Sequence, residues 1–336
     1  MRLSVIIPAY NVADHIEKCI RSLEDQDIPQ EDYEIIVTND GSPDDSQAIV
    51  ETLQKEFSNI VLINQENQGV SMARNNAIAI AKGEYVMPID PDDYVLPNKL
   101  VEELEFAERL ELDVLYLGFE VFDDKGKSIW QTNYSSLHEK IYDGVEGYFA
   151  HRGYQVKDPD RSWAIIYKLD LIKTFNIAYP KDVPFLEDGA FLGKIFAIAE
   201  KVSFRNTIFY QRTTSKGSAT QTGVMYSEKS INGFVISLRD LQKFIKENKL
   251  KNSQMGLVNH VVAKYAFLSL STSIVKFNFF DYLKAVALLN KADVKKIETK
   301  GLRMSFLRNA KVYNFSKYLF PFYYRLSNYV SFYFKI

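Results

Sequence analysis

Short aliphatic runs alternate with amphipathic stretches from Met1 to Pro97. LSVII (Leu3–Ile7) is a β-branched run that suits a strand buried on both faces. Ile16, Cys19, Ile20 and Leu23 follow at i, i+3, i+4 and i+7, the spacing of one helix face. YEIIVT (Tyr33–Thr38) predicts a second strand. Ser42-Pro43-Asp44-Asp45 reads as a helix start, with Ser42 as N-cap, Pro43 at the first helical position and Asp45 closing the capping box. Ile49, Leu53 and Phe57 continue that helix. Ile60–Ile63 predicts a third strand, Ser71–Ala81 a third helix and Tyr85–Ile89 a fourth strand. This rhythm predicts a three-layer α/β unit with a parallel sheet joined by right-handed crossovers, in which ligands bind beyond the carboxyl ends of the strands.

The rhythm then changes. A helix is expected at Lys99–Arg109, strands near Val114–Phe122 and Ser128–Thr132 around an Asp-Asp-Lys-Gly-Lys turn, and another strand at Ser162–Lys168. Gly189–Ala199 reads as a helix and Lys201–Tyr210 as a strand. The polar stretch Thr213–Gly223 is either a linker or a mobile active-site loop. From Tyr226 onward the pattern is helical, as in Ile231–Asn248 and Leu257–Val275.

Composition narrows the function classes. The 336 residues are 46% hydrophobic, enough for one large and one small core, and the net charge of −2 argues against a general nucleic-acid binder. The single cysteine, Cys19, excludes an internal disulfide framework and fits a reducing compartment. The run Leu3–Ile7 is too short for a signal peptide and is broken by Pro8, and no apolar run reaches the roughly 20 residues of a membrane span. A cytoplasmic location is therefore expected. After Glu298 there is no acidic residue, but Arg303, Arg308, Lys311, Lys317, Arg325 and Lys335 stand among many Phe and Tyr. That tail reads either as a peripheral anchor at the inner face of the plasma membrane or as a helical appendage packed on the protein or on a second subunit, making a homo-oligomer.

Candidate chemistry sits at the predicted strand ends. In YVMPIDPDDYVLP (Tyr85–Pro97), Asp90 and Asp92 fall at i and i+2 of an extended segment and share one side. Paired carboxylates repel unless something positive lies between them, and oxygen ligands suit Mg²⁺ or Mn²⁺ shared with substrate phosphates. A solvated turn is the ordinary alternative. Pro8-Ala9-Tyr10-Asn11 offers a ring and an amide to a base, and Asp40-Gly41 a carboxylate to a base N–H. Arg74, at the predicted opening of the third helix, offers a guanidinium to phosphate. Four such loops on one sheet edge are hard to explain as surface decoration.

MRLSVIIPAYN, TNDGSPDDS, NQGVSMARNNAIAIAKGEYVMPIDPDDYVLP and FLEDGAF resemble a family 2 glycosyltransferase of the GT-A fold, over about the first two-thirds of the chain. The resemblance implies a GT-A α/β/α sandwich with a mostly parallel sheet over residues 1–222 (nucleotide-binding half 1–97, acceptor-binding half 98–222). A helical region, residues 223–336, would follow. It implies an inverting, metal-dependent transfer from a UDP-sugar to a saccharide or lipid-linked saccharide in cell-surface polysaccharide synthesis. On that resemblance Tyr10 and Asp40 bind the uracil, with Pro8, Asn11 and Gly41 beside them, and Arg74 lies near the nucleotide. Asp90 and Asp92 match the DxD element, Asp92 as the metal ligand and Asp90 toward the ribose. Asn39 departs from the aspartate usual at its position.

Glu187-Asp188 matches the family's ED motif, with Asp188 as catalytic base; the plain alternative is a first-turn carboxylate pair favoured by the helix dipole. Glu187, Trp163 and Arg212, with Tyr210, Gln211, Ser215 and Ser218–Thr220, resemble positions that line the acceptor side or a closing loop. Trp163 reads equally as a core residue, and Arg212 as either a clamp on diphosphate or, more simply, a solvated arginine. The four histidines form no ligand spacing. A sugar nucleotidyltransferase would need a Gly-rich loop with a basic residue after the first strand, which PAYN lacks, and a dinucleotide oxidoreductase would need G-x-G-x-x-G. A non-catalytic nucleotide-sugar binding protein is the remaining competitor.

Overall fold

The computed structural model describes residues 1–152, 159–214, 227–276, 279–299, 302 and 304–334. These form two compact units: Met1–Tyr179 with Ile198–Ser218, and Pro180–Ala197 with Ala219–Ile336. The sequence suggested one cut after residue 222. The segment Pro180–Ala197 instead groups with the C-terminal helices.

The first unit is built on β1 (Leu3–Ala9), α1 (Ile16–Glu24), β2 (Tyr33–Asn39), α2 (Ser46–Glu56), β3 (Ile60–Asn64), α3 (Val70–Ile80) and β4 (Tyr85–Pro88). Beyond them come β5 (Tyr94–Val95), α4 (Leu100–Leu110), β6 (Val114–Phe122), β7 (Ser128–Gln131), α5 (Gly144–Arg152), β8 (Ile165–Lys168), α6 (Leu169–Thr174) and β9 (Val202–Thr213). Every residue of β1 and β2 is buried, as a strand covered on both faces requires. Alternate residues separate the two faces. Leu3, Val5 and Ile7 join Ile35 and Val37 in one hydrophobic cluster with Cys19, Ile20 and Leu23 of α1, Leu53 of α2, and Leu104 of α4. Helix α3 packs against β1 and β2 outside that cluster, so the sheet lies between two helical layers.

The strands run β3-β2-β1-β4-β8-β6-β9-β5, with β7 paired to β6. The β1–β4 portion is parallel. Strand β8 is antiparallel to both β4 and β6, β5 is antiparallel to β9, and β6 and β9 are parallel. The sheet is therefore parallel in its first half and mixed beyond it. Strand order reverses at β1, which has β2 on one side and β4 on the other.

Local differences from the sequence pattern have identifiable causes. Ser42 does not cap α2, which starts at Ser46. Asp44 holds that start, its Oδ1 accepting from the Ser46 hydroxyl at 2.6 Å. The Ser42 hydroxyl instead donates to the Ala9 carbonyl at 3.3 Å and accepts from the Asn11 N–H at 3.3 Å, stitching the first two strand-end loops together. Strand β8 begins at Ile165 rather than Ser162, because Ala164 takes a left-handed φ of 53° that breaks the pleat.

The second unit contains α7 (Glu187–Ile198), α8 (Glu228–Glu247), α9 (Asn252–Lys276), α10 (Phe279–Lys291), α11 (Met304–Phe315) and α12 (Phe320–Phe334). Gly193 of α7 packs against Val261 and Leu241, so α7 is seated on α8 and α9. None of the helices searched among the described residues is long and apolar enough to cross a membrane.

Leu104 is fully buried between α4 and the sheet. Leu104→Ala is expected to cost about 2–5 kcal/mol in urea unfolding by lost transfer energy plus a cavity; a loss below about 1 kcal/mol would contradict this packing.

Candidate active site

Three parallel strand ends open into a cleft of about 370 Å³. The end of β1 contributes Pro8, Ala9 and Tyr10, and the end of β2 contributes Asp40. Asn67, Gly69, Val70 and Ala73 come from α3 and the turn before it, and Asp90, Pro91 and Asp92 from the loop after β4. This is the point of strand reversal, where open α/β sheets leave a crevice for ligands. Of the residues singled out in the sequence, Pro8, Tyr10, Asp40, Asp90 and Asp92 line the cleft. Tyr10 is 51% exposed, leaving ring surface available for stacking. Asn11, at a left-handed φ of 55°, lies beside it and is tied by its N–H to Ser42.

Asp40 is buried, and its carboxylate organises the neighbouring loop. Oδ1 accepts from Gln65 Nε2 at 2.7 Å and from the Gln68 N–H at 2.7 Å, while Oδ2 accepts from the Gly69 N–H at 2.8 Å. A carboxylate oxygen takes two donors, so Oδ2 retains room for one more. Gly41 is required next to it: its φ is +68°, and a Cβ there would sit 3.1 Å from the Asn67 nitrogen. Asn39 is also buried and fully engaged. Its amide donates to Asn64 Oδ1 at 2.9 Å and Gln47 Oε1 at 3.1 Å, and its oxygen accepts from the Ser42 N–H at 3.0 Å. Asn39 thus joins the ends of β2 and β3 and does not face a ligand.

Arg74 sits in the second turn of α3 rather than at its opening. It is buried, its Nη2 bonds Asp90 Oδ1 at 2.8 Å, and its guanidinium lies 5.2 Å from the centre of the Tyr179 ring. One of the three clustered acids is thereby neutralised and aimed by a fixed fork.

Asp93 is the buried member of the cluster. Its Oδ2 accepts from the Tyr210 hydroxyl at 2.6 Å and its Oδ1 from the Thr213 N–H at 2.8 Å. Burial, then the neighbouring Asp92 and Asp90 charges, push its carboxyl well above the usual range. The Tyr210 oxygen also accepts from the Asp90 N–H at 3.2 Å, and the Thr213 hydroxyl donates to the Asp92 carbonyl. With the β5–β9 pairing, these bonds clamp the acidic loop onto β9. Cys19 approaches from below, its Sγ 3.8 Å from the Asp90 carbonyl oxygen.

Asp92 is half-buried and lines the cleft beside Asp90. Among the described residues no three His, Cys, Asp or Glu side chains gather as a metal cage. Two hard carboxylates at a cleft mouth fit a divalent cation whose remaining ligands are phosphate and water, the usual arrangement for Mg²⁺.

The acceptor-side expectations fare unevenly. Trp163 is 5% exposed, stacked on Tyr210 at 4.8 Å and edge-on to Phe119 at 4.8 Å, so it is a core residue and offers no open face to a sugar. Tyr210 is likewise buried, and its role is to support the acidic loop. Arg212 is partly exposed on β9, its guanidinium 5.5 Å from the Trp163 ring centre. Ser215 and Ser218–Thr220 lie outside the described residues.

Glu187 and Asp188 occupy the first turn of α7 in the second unit, Glu187 buried and Asp188 half-buried. Leu186 just before them takes a left-handed φ of 62°, and its carbonyl accepts from the Tyr265 hydroxyl of α9. A non-glycine residue held there costs of order 1–3 kcal/mol, so packing fixes the direction in which α7 starts.

Comparison with known proteins agrees with this architecture. The family model described as Glycosyl transferase family 2 matches residues 4–167. A poly(ribitol-phosphate) beta-glucosyltransferase of Bacillus spizizenii is 26% identical over 328 residues, 95% of this chain and 50% of the relative. The uncharacterized glycosyltransferase EpsJ of Bacillus subtilis is 31% identical over 219 residues, 65% of this chain and 63% of the relative. The chain thus spans about half to two-thirds of the length of these relatives. The crystal structure of S. aureus TarS 1-349 in complex with UDP-GlcNAc superposes with a TM-score of 0.73 over 97% of this chain and 92% of that one, at 20% identity. The fold is that of the GT-A glycosyltransferases.

Removing the Tyr210 hydroxyl is expected to leave Asp93 and the Asp90 N–H each short of a partner. Tyr210→Phe should cost about 1–3 kcal/mol in urea unfolding and increase hydrogen exchange in residues 89–95. Unchanged stability and exchange would mean that the hydroxyl does not hold the loop.

Proposed function

We propose, from the glycosyltransferase family 2 domain that residues 4–167 carry, that this protein transfers a sugar from a UDP-sugar to a hydroxyl of a saccharide or lipid-linked acceptor. The observation that carries this reading is the cleft at the strand reversal, where an exposed aromatic ring, a buried carboxylate and two further carboxylates from separate loops meet. Tyr10 supplies the stacking surface for the uracil, and Asp40 Oδ2 accepts from its N–H. Asp92 and Asp90 would hold Mn²⁺ or Mg²⁺, and Arg74 keeps Asp90 oriented. When bound, the cation neutralises charge gathering on the departing diphosphate.

In the transfer itself the acceptor oxygen bonds the anomeric carbon as the bond from that carbon to the diphosphate oxygen breaks. UDP leaves, and the configuration inverts. A sugar hydroxyl is a weak nucleophile, and Asp188 takes its proton as attack proceeds. Support for a UDP donor comes from TarS, which shares the fold and whose crystal structure contains UDP-GlcNAc. Support for a cell-surface polymer as acceptor comes from the relative named for poly(ribitol-phosphate). The reaction is placed on the cytoplasmic side, where sugar nucleotides and a reduced Cys19 are both at home.

Two substitutions separate the roles. Asp92→Ala should abolish the tightening of UDP binding by divalent cation in calorimetry; undiminished tightening would move the cation elsewhere. Asp188→Asn should keep nucleotide binding and lose transfer by about 10²–10⁴, the usual worth of general-base assistance. Turnover near that of the parent, measured with the UDP-sugar found to stabilise the protein most, would remove Asp188 from the mechanism.

A further inference from the structure

Charge is distributed unevenly along this chain. Residues 276–336 contain twelve Lys or Arg against three Asp or Glu, a net +9, so the preceding residues carry −11. The same segment holds most of the large hydrophobic side chains exposed among the described residues. Phe280 is 73% exposed, Phe322 67% and Leu326 65%, joined by Phe279, Tyr318 and Leu319.

Contacts within the second unit bring together the elements that carry them. The Phe279 and Phe322 rings lie 6.4 Å apart, linking the start of α10 to the first turn of α12. Arg325 Nη2 donates to the Ile274 carbonyl at 3.0 Å, bringing α12 to the end of α9. The Tyr282 hydroxyl donates to the Lys317 carbonyl at 2.7 Å, fixing the turn that carries Tyr318 and Leu319. Phe320 and Tyr313 meet edge-to-face at 5.6 Å, fully buried, so the helices have a packed side and an aromatic side left outward. Arg325 of α12 is exposed, as are Arg308 and Lys311 of α11, the helix that packs against α12.

We infer that this aromatic and basic face docks on the anionic surface of a lipid bilayer. Phe280, Phe322 and Leu326 enter the boundary between headgroups and acyl chains, and Arg308, Lys311 and Arg325 lie at headgroup phosphates. The attachment is peripheral. Helix α12 has 15 residues, and among the described residues no helix is long and apolar enough to cross a membrane. Charge complementarity selects this occupant over a second copy of the chain, because a two-fold pairing of this face would set two +9 segments against each other. Vesicle binding requires no donor or acceptor, so this inference stands or falls separately from the transferase reading.

The test is co-sedimentation of the full chain with phosphatidylcholine vesicles, with and without phosphatidylglycerol. The expected result is a partition coefficient at least about tenfold higher on the anionic vesicles, falling as salt is raised. Phe280→Ser with Phe322→Ser should lower it about tenfold or more, and Arg308→Gln with Lys311→Gln about tenfold or more. All four positions are exposed, and urea unfolding of each variant checks that the fold is kept. Should the aromatic variant not fold, the lipid and salt dependence of the parent and the Arg308→Gln, Lys311→Gln pair decide the matter. Equal binding to neutral and anionic vesicles, or none to either, overturns the inference. So does a dimer in light scattering that the aromatic variant dissolves while vesicles are ignored.

Discussion

Three aspartates within four residues repel one another, and the first unit is organised around meeting that repulsion. Asp90 is answered by the buried Arg74 at 2.8 Å. Asp93 is answered by burial and by the Tyr210 hydroxyl and Thr213 N–H. Asp92 is half-buried and lines the cleft, and its carbonyl accepts from the Thr213 hydroxyl. One acid is thus neutralised by a cation of the protein, one is driven toward its neutral form, and one lines the cleft. On the proposed reading, a cation between Asp90 and Asp92 would complete a compensation that the fold has already begun.

The second constraint is the placement of loops by buried polar side chains. Asp40 gathers Gln65, Gln68 and Gly69, and Asn39 gathers Gln47, Asn64 and Ser42, so the turn after β2 and the turn before α3 close on each other. The cleft wall is therefore preorganised by buried polar networks whose members are mutually satisfied, the condition under which such networks add rigidity. In the second unit, the left-handed Leu186 and the Tyr265 hydroxyl fix the start of α7, and hence of Glu187 and Asp188, by similar means.

Much of this was legible in the sequence because β1, β2 and β4 are buried on both faces and so read as apolar runs, and the half-buried β3 still opens on four aliphatic residues. Their order of appearance with amphipathic helices between them identified the sheet edge that carries Tyr10, Asp40, Asp90 and Asp92. Strand direction beyond β4 was not legible, since a strand buried on both faces reads alike in parallel and antiparallel ladders. The two residues of β5 are too short for any periodicity to register. Ser42 fitted a capping pattern, but a hydroxyl also serves a neighbouring loop, and only the fold decides between them. The sequence leaves Trp163 open between the acceptor side and the core, and sets Tyr210 on the acceptor side or a closing loop. Their stacking joins positions 47 residues apart, one just before β8 and one on β9, with β6 between those strands, which no local pattern encodes. The support given to Asp93 by Tyr210 and Thr213 is hidden for the same reason.

The central claim is that the cleft at the β1 reversal holds a nucleoside diphosphate and its cation. Hydrogen exchange on the full chain, with and without UDP and Mn²⁺, tests it most directly. Protection is predicted in the loops following β1 and β2, in the turn leading into α3, and at residues 89–93. Protection confined to other segments, or none at saturating nucleotide, would contradict the account.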